Sequence, residues 1–206
     1  QRRAHHEATC TAVAWPVPEA EGSLRADLDA RLPYDLTAGQ KRVGEEISAD
    51  LARTVPMQRL LQGDVGSGKN LVALRAMLQV VGGGGQTAIL APTEVLAAQH
   101  HSSLEAVLGP MARLGMLGGA ERATRVHLLT GSTHAAQRRR ILTGLADGEP
   151  EIVVGTHALL SDTVQIPFLG LVVVDEQHRF GVAQRDALRE RGGLTDPATG
   201  QTHTPH

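Results

Sequence analysis

Two short stretches of this chain carry residues whose types and spacing can do chemistry. In "LLQGDVGSGKN", Gly63, Asp64, Val65, Gly66, Ser67, Gly68 and Lys69 form a glycine-rich loop that ends in a lysine, with Asn70 next. Glycines let a backbone curl until successive N–H groups point at phosphate oxygens, and a helix starting near Lys69 adds its positive end. Lys69 then reaches the terminal phosphates as a point charge. In "LVVVDEQHRFG", Asp175 and Glu176 leave a strongly apolar run side by side. Two adjacent carboxylates at the end of a buried strand are costly unless a cation or donors compensate them. In phosphate-loop ATPases an acid at that place helps to hold Mg²⁺, and its neighbour polarises the attacking water.

The residue after the lysine departs from the pattern. Ser or Thr is expected there, because a compact hydroxyl binds Mg²⁺. Asn70 offers a carbonyl oxygen on a longer arm, with an NH₂ that opposes a cation if the amide is turned. The metal-ligand candidates are therefore Asp175 and Asn70, with weakened Mg²⁺–ATP binding and poor hydrolysis as the expectation.

Positioning these groups requires a strand before the loop and a helix after it. Met57 to Gln62 is expected as that strand and Leu71 to Val81 as that helix. Apolar runs at Thr87–Ala91, Val126–Thr130, Ile152–Gly155 and Leu171–Val174 read as buried strands. Helices are expected at Thr93–Leu108 and Ala135–Leu145. Another carries Val43, Ile47 and Leu51 at helical spacing, with Thr37 able to cap it. Alternating buried strands and helices imply an α/β fold, a parallel sheet sandwiched between helices. Right-handed crossovers then bring the loops after the strands to one edge.

Composition narrows the setting. The 206 residues are 41% hydrophobic and 2% aromatic, so the core is built from Leu, Val, Ile and Ala. The net charge of −2 supplies no global attraction to nucleic acid, so any such binding is local. Cys10, the only cysteine, excludes an internal disulfide and reads as an ordinary thiol of a reducing compartment. No run of 18 apolar residues is present to span a membrane. The start "QRRAHHEATC" lacks a signal-peptide apolar stretch and an initiator Met, and the expectation is a piece of something larger. Arg138-Arg139-Arg140 reads as a solvated helix face, and His100-His101, without the spacing of a metal site, as surface.

Taken in order, "LTAGQ", "GDVGSGK", "APTEVLAAQH", "LLTGS", "GTHALL" and "DEQHRFGV" resemble the first motor domain of RecG-like superfamily 2 DNA helicases, over about Leu32 to Arg191. The resemblance implies a RecA-like phosphate-loop fold, with ATP and Mg²⁺ as cofactors. It implies that Gln40 reads adenine and that Gly66, Gly68 and Lys69 cradle the triphosphate. Asp175 and Glu176 would be the metal-binding and water-activating acids. Gln177 and His178 complete a DEQH box, which in related helicases links nucleotide to the DNA-sensing surface. Thr93, Glu94 and Gln99, with Thr130, Gly131, Gly155, Thr156 and His157, match segments that lie along the nucleic-acid strand. Hydroxyls and loop amides there can hold phosphates without reading sequence, and Thr93 also suits a helix cap.

The implied organisation is a linker or end of a preceding domain over 1–32, poorly ordered; a RecA-like ATP-binding domain over 33–191; and a disordered tail over 192–206. The implied function is ATP-driven remodelling of branched DNA, such as stalled forks and Holliday junctions, in recombination and repair, by a monomer in the bacterial cytoplasm. A TAT-like segment, a second motor domain and a wedge domain, all part of the family pattern, are missing from this sequence. Alone, it is not expected to unwind DNA. Two other readings stay open: the motor domain of a transcription–repair coupling translocase, and a non-catalytic module that binds nucleotide or DNA.

Overall fold

Four apolar runs assemble into a parallel sheet in the order β2-β3-β1-β4, with β1 Gln86–Leu90, β2 Val126–Leu129, β3 Ile152–Gly155 and β4 Leu169–Val174. The computed structural model describes residues 11–64, 66–161, 163–176, 194–195 and 202–206. β1 and β3 are buried along their whole length, as a strand covered on both faces must be. Their side chains alternate between two cores. Ile89, Ile152, Val154 and Leu171 face α1 (Leu24–Arg31), α2 (Ala38–Leu51), α3 (Lys69–Gly82) and α4 (Glu94–Leu108). Ala88, Leu90, Val153 and Leu169 face α5 (Ala135–Ala146) and the segment that follows β3. This is the expected sandwich, with a RecA-like arrangement of strands and helices.

Several ends coincide with the sequence reading. α2 begins at Thr37 with a full capping box: Thr37 Oγ1 accepts from Gln40 N–H at 3.2 Å, and Gln40 Oε1 accepts from Thr37 N–H at 2.9 Å. Thr93 caps α4, accepting from Leu96 N–H at 3.2 Å.

Three expectations need correction. First, Met57–Gln62 joins no β-ladder. The free edge of β4 is met instead by His206, whose N–H donates to Gly170 O (2.8 Å) and whose carbonyl accepts from Val172 N–H (2.9 Å), the bonding of a parallel pair. Arg59 ties the 57–62 run to α2 through Asp50 (2.6 Å) and Glu46 (2.9 Å), across a cleft of about 590 Å³.

Second, four residues of the stretch expected to be poorly ordered, Ala12, Trp15, Leu24 and Leu28, are buried in the core. Trp15 is 4% exposed, and its ring occupies the space that side chains at Gly83, Gly85 and Gly170 would need. A Cβ at Gly85 or Gly170 would lie 2.5 Å from that ring, so the packing of Trp15 demands glycine at those two positions. Gln79, fully buried, donates to Trp15 O (2.9 Å) and Ser48 O (3.0 Å) and accepts from Ser48 Oγ (2.6 Å). Arg75 and Asp29 form a two-pronged ion pair (2.8 and 2.9 Å) that joins α1 to α3.

Third, two short strands lie within the stretch expected as a disordered tail. Leu194–Thr195 (β5) and Thr202–His203 (β6) pair antiparallel, and the imidazole of His206 is buried. That ring accepts from Met57 N–H (3.1 Å) and donates to Val13 O (2.9 Å), so the neutral form satisfies both nitrogens. Burial pushes the His206 pKa below the usual imidazole value.

Candidate nucleotide and nucleic-acid site

The register of the sheet decides where the candidate residues lie. Leu90 pairs with both Gly155 and Val174, and Leu129 pairs with Gly155. The residues that follow, Ala91, Thr130, Thr156 and Asp175, therefore leave the sheet at one edge. α3 reaches that edge from the other direction. It packs against β1 and β4, and its C-terminal end connects to the start of β1 through Gly83–Gly85 alone. Its first residue, Lys69, must lie at the opposite end, beside the strand ends. The 14-residue helix is about 21 Å long, longer than the sheet strands it covers.

The loop before α3 is curled by left-handed glycines, Gly66 at φ 81° and Gly68 at φ 79°. Gly68 begins the helix without a side-chain cap, so the first-turn amides keep their capacity for an anion. The loop is self-bonded: Ser67 N–H donates to Asp64 O at 3.1 Å, and Lys69 Nζ donates to Gly63 O (2.6 Å) and Asp64 O (2.8 Å). Gln40 is bound to it as well. Its Nε2 donates to Ser67 O at 2.9 Å while its Oε1 completes the α2 cap, so both ends of the amide are engaged. A Cβ at Gly68 would lie 2.3 Å from that Nε2. Asn70 is exposed in the first turn of α3, and Val65 lies outside the described residues.

Asp175 is held from several sides. Its N–H donates to Leu90 O (3.0 Å), Oδ1 accepts from Glu176 N–H (3.0 Å), and Oδ2 lies 2.7 Å from Nε2 of His100 on α4. Glu176 is exposed and takes a left-handed backbone, φ 50°, a conformation uncommon outside glycine. Such outliers concentrate at functional sites. Gln177 and His178 lie outside the described residues. The expectation that His100-His101 is simple surface is corrected: His100 has a side-chain exposure of 16%, and His101 is half-buried, bonded to Val126 O at 3.1 Å. Nothing in the local spacing announced the His100 contact, which joins residues 75 positions apart.

Most of the expected nucleic-acid residues form a ridge on the same edge, with Thr130 and Thr156 buried beneath it. Glu94 Oε2 accepts from Ser132 Oγ at 2.7 Å, and Glu94 Oε1 is 3.0 Å from where a Cβ of Gly131 would stand. Thr130 N–H donates to Thr133 Oγ1 (2.9 Å), which shapes the turn after β2. Thr156 is buried and caps the 3-10 turn His157–Leu160, leaving His157 exposed. A Cβ at Gly155 would lie 2.3 Å from Leu129 O, so this position admits glycine alone. Gln99 is exposed on α4, next to His100. Ser132, which sequence reasoning passed over, belongs to this ridge through Glu94.

Comparison with known proteins agrees with this geometry. The model of the DEAD/DEAH box helicase family matches residues 37–203. The chain is 56% identical over 184 residues to an ATP-dependent DNA helicase RecG of Mycobacterium bovis, covering 88% of this chain and 25% of that protein. It is 46% identical to the RecG helicase of Treponema pallidum over 89% of its length, again 25% of the relative. The chain thus spans about a quarter of the length of these relatives. A solved structure of RecG bound to a three-way DNA junction superposes with a TM-score of 0.76 at 32% identity, over 99% of this chain and 24% of that one. The yeast DEAD-box splicing factor Prp28 shares the fold, with a TM-score of 0.52 at 16% identity over 91% of this chain and 43% of that one. No helix among the described residues is long and apolar enough to cross a membrane.

Proposed function

This chain belongs to the DEAD/DEAH box helicase family, and we propose on that premise that it is the ATP-binding first motor domain of a longer RecG-like helicase that remodels branched DNA. Family membership carries nucleotide use. The observation that supports the finer reading is the shared edge: the glycine loop heading α3 and the acid ending β4 lie at the same end of one parallel sheet. In this reading the amides of 66–69 and Lys69 hold the phosphates. Lys69 exchanges the carbonyls of Gly63 and Asp64 for phosphate oxygens, and Gln40 exchanges Ser67 O for the adenine edge.

The acids fit Mg²⁺ of a particular kind. Among the described residues no three acids, histidines or cysteines cluster as a stand-alone metal site. Mg²⁺ characteristically takes one or two carboxylates, phosphate oxygens and water, and Asp175 supplies the carboxylate at the right edge. Bound there, the ion would neutralise charge on the phosphates. Glu176 is the group to orient the attacking water. The exposed part of the ridge, Thr93, Gly131, Ser132 and His157, is the surface for a DNA backbone, with Glu94 orienting Ser132 and the buried Thr130 and Thr156 shaping the turns beneath it. Hydroxyl and amide contacts to phosphates position a backbone without reading bases. The place of action is the bacterial cytoplasm, as a monomer, with a second motor domain and a wedge domain supplied by the longer protein.

Asn70 favours a second reading, in which the chain binds nucleotide and hydrolyses it poorly. Losing one good interaction with a charged group costs about 1.5–3 kcal/mol. In the longer protein, Asn70→Thr is expected to raise DNA-stimulated phosphate release about 10-fold or more. An unchanged rate would show that Asn70 serves the cation as well as a hydroxyl does. For the chain itself, calorimetric titration with ATP should show tighter binding with Mg²⁺ than with EDTA; equal affinities would remove Asp175 from the site.

A further inference from the structure

We propose that His100 is a positioning residue for Asp175, fixing the carboxylate that faces the nucleotide-bound cation and tying it to the helix that carries the DNA-facing residues. The inference rests on the nucleotide-site reading above and deepens it. A carboxylate oxygen accepts hydrogen bonds, so the 2.7 Å contact requires the proton on Nε2 of His100, which donates to Oδ2. Glu176 N–H holds Oδ1 from the other side. With both oxygens engaged, the carboxyl plane has one orientation, and each oxygen keeps a lone pair for a further partner. Histidine–carboxylate pairs beside metal sites orient a ligand in this way, and removing the outer partner costs about 10- to 100-fold in metal affinity.

The position of His100 adds a second consequence. It projects from α4, whose first turn holds Thr93 and Glu94 and whose exposed face holds Gln99. Glu94 in turn is bonded to Ser132 of the turn after β2. A displacement of α4 by a bound DNA backbone is therefore carried to Asp175 through a single imidazole. The sheet offers a competing route through Asp175 N–H to Leu90 O, but that bond fixes the backbone and leaves the carboxyl plane free to turn.

The test is ATP affinity of the 206-residue chain, measured by calorimetry in Mg²⁺ and in EDTA, with melting temperatures alongside. The expected result is a Mg²⁺-dependent gain in the parent chain that Asp175→Asn abolishes. His100→Phe, which keeps a ring and removes the donor, should lose about 10-fold of that gain while affinity in EDTA is unchanged. His100→Gln, which restores a donor, should recover most of it, and His100→Leu repeats the donor-free case without a ring. A full Mg²⁺ gain in both donor-free variants, or an equal loss in EDTA, overturns the role of His100 and leaves the nucleotide site standing. No gain in the parent chain, or a gain that survives Asp175→Asn, overturns the site reading and this inference with it.

Discussion

The two halves of the candidate site are held by different kinds of bond. Lys69 is held by carbonyls five and six residues away, and the loop gains one longer-range bond, from Gln40 of α2 to Ser67 O. Asp175 is held by Leu90 and His100, 85 and 75 residues back in the chain. The cationic half is thus local and exposed, free to exchange its self-bonds for a ligand at little structural cost. The anionic half is a product of the whole sheet, and its aim depends on elements that touch no nucleotide. Under the proposed roles, the phosphate grip is largely local, while the acid is tied through His100 to α4.

If the acid half depends on the sheet, the largest effect should come from its remotest support. Trp15 covers Gly170 of β4 and the Gly83–Gly85 turn, and Trp15→Ala should cost about 3–5 kcal/mol in urea unfolding. A loss under about 1 kcal/mol would mean that the early segment is an accessory. The local half should behave oppositely. Lys69→Ala is expected to weaken ATP binding about 10- to 100-fold, roughly 1.5–3 kcal/mol, with stability unchanged within about 0.5 kcal/mol. A matching fall in stability would erase the distinction.

The smallest effect is one of pH. Glu151, 1% exposed at the start of β3, would have its pKa raised by burial, but hydrogen bonds from His127 and Arg125 outweigh this and hold it below the usual carboxylate value. A depressed folded pKa contributes stability above the unfolded value, near 4.5, that is lost as pH falls through the folded one. Glu151→Gln should therefore flatten the acid limb of the unfolding midpoint measured from pH 6 to 3. An unaltered slope would assign the acid loss to other carboxylates.

The same division sets what could be read from residue order. The glycine loop, the Thr37 and Thr93 caps and the β1, β2 and β3 runs were legible, since each is specified within a few residues. The burial of Trp15 was not, because it finds its place against glycines some 70 and 155 residues later. The strand expected at 57–62 joins no ladder; Arg59 binds that run to α2 instead, through Asp50 and Glu46, partners that its own apolar pattern does not announce. His100 looked like surface because its partner leaves a strand 75 residues onward. Gln40 was expected, from the resemblance, to read adenine; its bond to Ser67 O joins residues 27 apart and appears only in three dimensions, whereas its part in the α2 cap, three residues after Thr37, is a local pattern.

One nucleotide lying between the loop of 63–69 and the acid of β4 is the centre of the account. The most direct test is to bind Mn²⁺–ATP to the ¹⁵N-labelled chain and follow paramagnetic broadening of its amide signals. The account predicts that Gly66, Gly68 and Lys69 broaden together with Val174, Asp175 and Glu176. Broadening confined to one of those two sets would contradict it.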